Sequence, residues 1–396
     1  MTKLRNNSAQ STITMRDAFL VFGSPLIGEE EIQEVVATLR SGWIGTGPRV
    51  SEFERLMASH TGAKYAIAVN SCTAALHLSL VVLGIGYGDE VITTPMTFAA
   101  TANAIIHTGA KPVFADVDRN TMLITPEKIE AAITPRSRAI MPVHLAGSAC
   151  DMDAIRDIAR RHNLFLIEDA AHAIETTYRG EQVGNIGDLT CFSFYVTKNV
   201  TTAEGGMVTT NNEEWARRIR TLSLHGMDRD AYRRFSDSGY KHYQVVAPGF
   251  KYNMTDVQAA LGIHQLRRVN ENWHRRDEIW CRYQKGLASL PIGLPATDDP
   301  DSKHARHLYR ILVHEERCGK TRDRVLEDLK SFKIGSGVHY LPVHLHPYYR
   351  NTFGYREGCY PNAEWIGRGT LSIPLSAKLT DDDVTDVIEA LLQIFS

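Results

Sequence analysis

The 396-residue chain has no apolar run long enough to cross a bilayer, no Cys-x-x-Cys pair among its six cysteines, no internal repeat, no low-complexity stretch and almost no net charge. Each absence removes a class of function. Short apolar runs broken by polar residues exclude a membrane-spanning helix. The opening residues lack the charged, apolar and small-residue order of a secretory leader, so a cytoplasmic address is expected. Cysteines 72, 150, 191, 281, 318 and 359 sit in apolar or helical contexts, which predicts reduced thiols rather than a disulfide frame. With 44 Lys and Arg against 46 Asp and Glu, a formal charge of −2, there is no basic field for nucleic acid. An anionic ligand has to be met by a local site.

What is present is a strand-helix alternation. Residues 1–15 are polar and without period, and are expected to fray. Ile32, Val35, Val36 and Leu39 repeat at helical spacing before Gly42, an amphipathic helix with a glycine stop. Apolar runs at 65–69, 90–93, 139–143 and 164–167 alternate with helical patterns at 74–83, 99–107 and 153–162. That order predicts an α/β domain, a mainly parallel sheet covered by helices on both faces. Further strands are expected at 191–195 and 207–210, then one long helical stretch over 255–287 as a bridge into a smaller C-terminal α+β domain. The predicted division is 16–265 and 266–396. In the second part, 308–313 and 337–341 read as strands and 380–392 as a capped helix.

Three stretches carry chemistry. Asn70-Ser-Cys-Thr73 lies between a strand and a helix, so its amides and hydroxyls face a positive dipole end suited to a phosphate, with plain N-capping by Ser71 or Thr73 as the alternative. The apolar run 164–167 ends in Glu168-Asp-Ala-Ala-His172, and ligands of open parallel sheets sit beyond the carboxyl ends of strands. Lys198 follows the apolar-aromatic Phe192-Ser-Phe-Tyr195 and precedes Glu204-Gly-Gly206, whose glycines let backbone approach a ligand closely. A carboxylate, an imidazole and a lysine so placed suit pyridoxal phosphate, with Asp169 on the pyridine nitrogen and Lys198 on the aldehyde as a Schiff base. The alternatives are a helix cap for Asp169, a satisfied core group for His172 and a solvated surface lysine for Lys198. An Asp169–pyridinium bond contributes roughly 1.5–3 kcal/mol, or about one to two pKa units. Ser193 is placed to add a phosphate bond, and the ring of Phe98, at the start of a helix, to stack on the cofactor; core packing is its more common fate. Gly84, Gly86 and Gly88 follow a helix rather than a strand and read as a turn, which sets aside a nicotinamide site. His339, His344 and His346, interrupted by Pro342 and followed by Pro347, give no ordinary metal geometry, and no metal is expected.

In this order the stretches resemble the DegT/StrS family of pyridoxal-phosphate-dependent sugar aminotransferases, of the aspartate aminotransferase fold type. The resemblance also covers Ser41-Gly-Trp-Ile-Gly-Thr-Gly47, Lys251-Tyr-Asn-Met254 and 338–348. It implies Lys198 as the catalytic lysine, with pyridoxamine phosphate as the intermediate form of the cofactor. Asp169 is implied on the pyridine and His172 near the ring hydroxyl. Phe98 is implied as the stacking ring, and Cys72, Thr73 and Ser193 around the phosphate. Asn253 is implied to reach that phosphate from a second subunit, so a homodimer with shared sites is expected. Residues 225–232 and 249–253 look most like enzymes that install a 4-amino group on a UDP-linked keto sugar, which implies Thr46 and His344 as substrate contacts and an amino-acid donor, L-glutamate. A cofactor-binding regulatory protein of the same fold is the alternative.

Overall fold

The computed structural model describes residues 16–228, 242–297 and 299–396. The polar stretch 1–15 and the part of 225–232 beyond 228 therefore lie outside the described residues. Helices α1 (Glu29–Ser41) and α2 (Pro48–Thr61) precede β1 (Tyr65–Val69), α3 (Cys72–Val82), β2 (Glu90–Thr93), α4 (Ala99–His107) and β3 (Lys111–Phe114). Then come α5 (Pro126–Ala131), β4 (Ser137–Met141), α6 (Met152–Arg161) and β5 (Phe165–Asp169). The short pair β6 (Thr177–Tyr178) and β7 (Glu181–Gln182) leads to β8 (Leu189–Ser193) and β9 (Gly206–Thr210).

Seven strands make one sheet in the order β1-β9-β8-β5-β4-β2-β3. It is parallel from β3 through β8, while β9 runs antiparallel to both β8 and β1, the mainly parallel sheet expected. Strand alternation divides β5 between the two faces: Leu166 joins the apolar core on one side and Ile167 the core on the other. Glu168 therefore follows Leu166, and Asp169 follows Ile167. Each large apolar side chain buried here contributes ~1.5–3 kcal/mol, which offsets the cost of drawing two carboxylates out of water. The expectation omits β3, whose Pro112 cannot donate to a ladder; proline is tolerated there because β3 is the sheet's edge.

The helix expected around 32–39 is α1, and Gly42 ends it in the left-handed region at φ 75°. Its buried positions are Glu31 and Thr38, however, while Ile32 and Leu39 are exposed. The reason is a polar anchor, since the buried Glu31 carboxylate accepts bonds from Gly28, Gln265 and Arg268. The single helix expected over 255–287 is two, Asp256–Arg267 and Val269–Gly286, meeting at Arg268. Asp256 accepts the free amides of Gly47, Arg49 and Val50 at the start of α2.

Beyond residue 286 the chain adds a two-stranded antiparallel sheet, β10 (Tyr309–Leu312) with β11 (Thr370–Ile373), covered by helices Arg322–Ser331 and Asp381–Ile394 over a third apolar core. The strand expected at 337–341 is not formed. Only Gly337 bridges, to Ser372, and the residues after it run as a loop toward the large sheet. Among the described residues, no helix is long and apolar enough to cross a membrane.

Candidate active site

The carboxyl ends of β5 and β8, the N-terminus of α3 and the start of α4 surround a cavity of about 430 Å³. Cys72, Thr73, Phe98, Asp169, His172, Ser193 and Lys198 all lie on its wall, so the structure gathers seven of the expected site residues in one place. The size suits a small cofactor.

Ser71 is the N-cap of α3, its hydroxyl accepting from the Ala74 amide at 3.1 Å. The capping alternative thus holds for Ser71, yet it leaves the Cys72 and Thr73 amides in a first turn that makes no i−4 bonds. Gly206 brings β9 against this turn: a Cβ there would lie 2.4 Å from the Ser71 carbonyl carbon and 2.6 Å from the Cys72 nitrogen. Its close approach is to the protein's own backbone, not to a ligand as the sequence suggested. Gly205 lies on the cavity wall.

Asp169 is almost fully buried. Its Oδ2 accepts from Thr101 Oγ1 at 2.7 Å and its Oδ1 from the Ala171 amide at 3.1 Å. Thr101 in turn accepts from Thr97 at 2.7 Å. Burial pushes the carboxyl's pKa up, opposed by those two donors, Lys198 and His144. Asp169 caps no helix, because turns follow β5. The same turns, rather than the helical turn expected, carry His172 to the cavity.

His172 Nδ1 accepts the Ala146 amide at 3.1 Å, so its proton sits on Nε2, 3.3 Å from the Tyr340 hydroxyl. Burial first, then Lys198 and His307, hold its pKa well below the ordinary value, and the ring stays neutral. The His307 ring lies 4.4 Å away, and His307 pairs with Asn199, the residue after Lys198. Asn199 is tied in turn to the buried Glu175, which pairs with Arg276.

Burial brings the Lys198 pKa down to about 8, against the pull of Cys72 and Asp169. This is not a solvated surface lysine. Phe98 is 62 % exposed, with its ring centroid 6.1 Å from that of Tyr340. It covers the mouth of the cavity instead of packing in a core.

Three expected residues lie elsewhere. Asn253 Nδ2 donates to Thr46 Oγ1 at 2.7 Å, and Thr46 donates to the Met254 carbonyl at 2.5 Å; neither is on the cavity wall. His344 is fully buried, its Nε2 donating to Glu364 at 3.0 Å among the rings of Tyr355 and Tyr360. The short turn Val343–Leu345 after Pro342 aims it at Glu364, which also collects the amides of Gly358 and Tyr360. The residues of that stretch that do reach the cavity are His339 and Tyr340. Sequence reading also missed Thr101, although its place one helical turn after Phe98 was a usable signal. Among the described residues, no three metal-ligating side chains gather to hold an ion.

A mainly parallel sheet that presents a buried aspartate at one strand end, and a half-buried lysine in the turn after another, to one pocket defines the class of pyridoxal-phosphate enzymes with the aminotransferase fold. The chain belongs to the DegT/DnrJ/EryC1/StrS aminotransferase family, whose sequence model matches residues 25–392. It is 54% identical over 383 residues to the spore coat polysaccharide biosynthesis protein SpsC of Bacillus subtilis, covering 96% of this chain and 98% of SpsC. Among solved structures it is similar to Spr1654 from Streptococcus pneumoniae, assigned as a sugar aminotransferase, in its PMP form: TM-score 0.89, 37% identity, 95% and 98% of the two chains. It is also similar to DesI in the presence of its TDP-sugar product, with TM-score 0.84, 33% identity and 96% and 93% covered. The chain is therefore a pyridoxal-phosphate-dependent sugar aminotransferase.

Proposed function

We propose that the enzyme moves an amino group from an amino acid, L-glutamate, to the keto group of a nucleotide-linked sugar, a UDP-4-keto sugar. The observation that carries the chemistry is that Lys198 and Asp169 line one cavity together with Phe98. The donor set fits the cofactor: amides and hydroxyls at the α3 end for a phosphate, an aromatic face at the mouth, and a carboxylate and an amine at depth. Cys72, Thr73 and Ser193 would hold the phosphate, Phe98 would cover the ring, and Lys198 Nζ would bond the aldehyde carbon. When bound, the cofactor supplies an electron sink for the carbon that loses a proton.

This chain's residues would do the rest. With a pKa of about 8, about a tenth of Lys198 is neutral at pH 7, enough to attack a carbonyl. Displaced by the donor's amine, Lys198 would carry a proton from one carbon to the other as base and then acid, and reverse the roles with the sugar. Asp169, costly to ionise alone, would be held ionised by a protonated ring nitrogen. His172, neutral with its proton on Nε2, would donate to the ring oxygen without adding charge.

The nucleotide is supported by the similarity to DesI, seen with a TDP-sugar product; the choice of UDP and a 4-keto sugar rests on the sequence resemblance. A homodimer is supported by the exposed apolar residues Ile32, Leu39, Trp43 and Ile44, and by Thr46 and Asn253 lying outside the cavity of their own chain. We place the domain boundary near residue 265, because the third core draws its buried residues only from Ile279 onward, and the address in the cytoplasm. The test is a half-reaction. L-glutamate is expected to bleach the aldehyde-form absorbance of the holoenzyme, and one member of a panel of UDP- and TDP-linked keto sugars to restore it. No bleaching by any amino acid, or restoration only by free sugars, overturns the proposal.

A further inference from the structure

A second cavity, about 450 Å³ in volume, lies between the loop 120–126, the loop 148–151 and Ser302–His304, and shares no wall residue with the first. Arg310 is on its wall. On β10, Tyr309 turns into the third core, and alternation sends Arg310 the other way. Three arginines of the described residues are more than nine-tenths buried: Arg276 pairs with Glu175 and Arg306 with Asp277. Among the described residues Arg310 has no carboxylate partner, and its one hydrogen bond there runs from Nη1 to the thioether of Met122, 2.9 Å away on the same wall. A guanidinium presents five donors in a planar fork. A buried charge left this way is unstable unless something outside the chain answers it. Burial brings its pKa only to about 10, so it stays charged at neutral pH.

The surroundings favour a negative ligand. His304 Nδ1 accepts the Arg306 amide at 2.8 Å, which leaves the proton on Nε2, and no group of the described residues takes that proton. Lys303 is also on the wall, with its ammonium 4.1 Å from the centre of the Trp273 ring. The two carboxylates among the described wall residues are already engaged: Asp151 accepts from Ala154 and Tyr178, and Asp299 from Asp301 and Ser302. Lys198, half-buried and also without a close ion pair among the described residues, faces the cofactor cavity instead.

We propose that this cavity binds a small anion whose carboxylate or phosphate group takes the free N–H groups of Arg310, with His304 and Lys303 as further contacts. The cavity shares no wall residue with the transamination site, although the Arg310 charge is felt at His172, His339 and Tyr340 of that site, and failure of this proposal leaves that reading untouched. The test is calorimetric titration of the pyridoxal-phosphate-loaded enzyme with inorganic phosphate and, separately, with succinate, which distinguishes the two head groups. Saturable binding of either probe is expected, weakened at least tenfold by Arg310→Met and partly kept by Arg310→Lys, with cofactor absorbance unchanged. No saturation by either probe, or equal binding to Arg310→Met, overturns the proposal. Should Arg310→Met lose the cofactor through misfolding, Ser148→Leu, which adds bulk at another wall residue, decides: lost binding supports the site and retained binding overturns it.

Discussion

Glu168 and Asp169 are neighbours in sequence, both buried, and built for opposite purposes. The Glu168 carboxylate is saturated by protein: it accepts from His144 at 2.8 Å, from the Gly187 amide at 2.7 Å and from Thr190 at 2.7 Å. Asp169, on the other face of β5, has two donors and a cavity in front of it. The strand's twofold alternation does this sorting without any difference in residue chemistry. A buried carboxylate whose bonds are all internal holds a fold together. One that is left short, beside a lysine with a lowered pKa, is available to a ligand.

The largest effect expected on the open face is that of Lys198→Ala, which removes the amine itself. Transamination should fall by at least about a thousandfold while the protein stays folded, read from steady-state rates beside circular dichroism. Asp169→Asn should come next, lowering turnover by about 10- to 150-fold, the equivalent of ~1.5–3 kcal/mol, with little change in melting temperature. Glu168→Gln should show the reverse. It places an amide where three donors converge and should cost about 3 kcal/mol of stability, seen as a lowered denaturant midpoint, while the enzyme that remains folded keeps near-normal turnover. If both variants behaved alike, the sorting by strand face would fail.

Much of this contrast was legible in the sequence. The apolar run before Glu168-Asp169 marks a buried strand, and Lys198 with its aromatic lead-in marks a second structured edge. The partners were not legible, because they depend on which elements become neighbours: Thr101 meets Asp169 only because α4 packs beside the end of β5. Ala146 fixes the His172 tautomer from a loop whose left-handed backbone, φ 61°, no residue type announces. His344 reads as a ligand histidine until the turn after Pro342 aims it at Glu364. Arg310 is an ordinary strand residue in sequence, and only burial without a carboxylate sets it apart. The apolar stripe of α1 reads as a core face, while Glu31 claims that position in the single chain.

A smaller effect sharpens the electrostatic half of the contrast. The lowered Lys198 pKa means that the amine, not the ammonium, prevails above pH 8. In cofactor-free enzyme the rate of capture of added pyridoxal phosphate should therefore climb about tenfold per unit below pH 8 and level off above it. A climb continuing to the ordinary lysine range would mean that the cavity does not desolvate the amine.

The most direct measurement is reductive trapping: holoenzyme treated with borohydride, digested and mapped by peptide mass spectrometry. The pyridoxyl group is expected on Lys198 alone, and lost in Asp169-intact, Lys198→Ala protein. A pyridoxyl group fixed on another lysine, or a cofactor that washes away unreduced from the folded wild-type enzyme, would contradict the account.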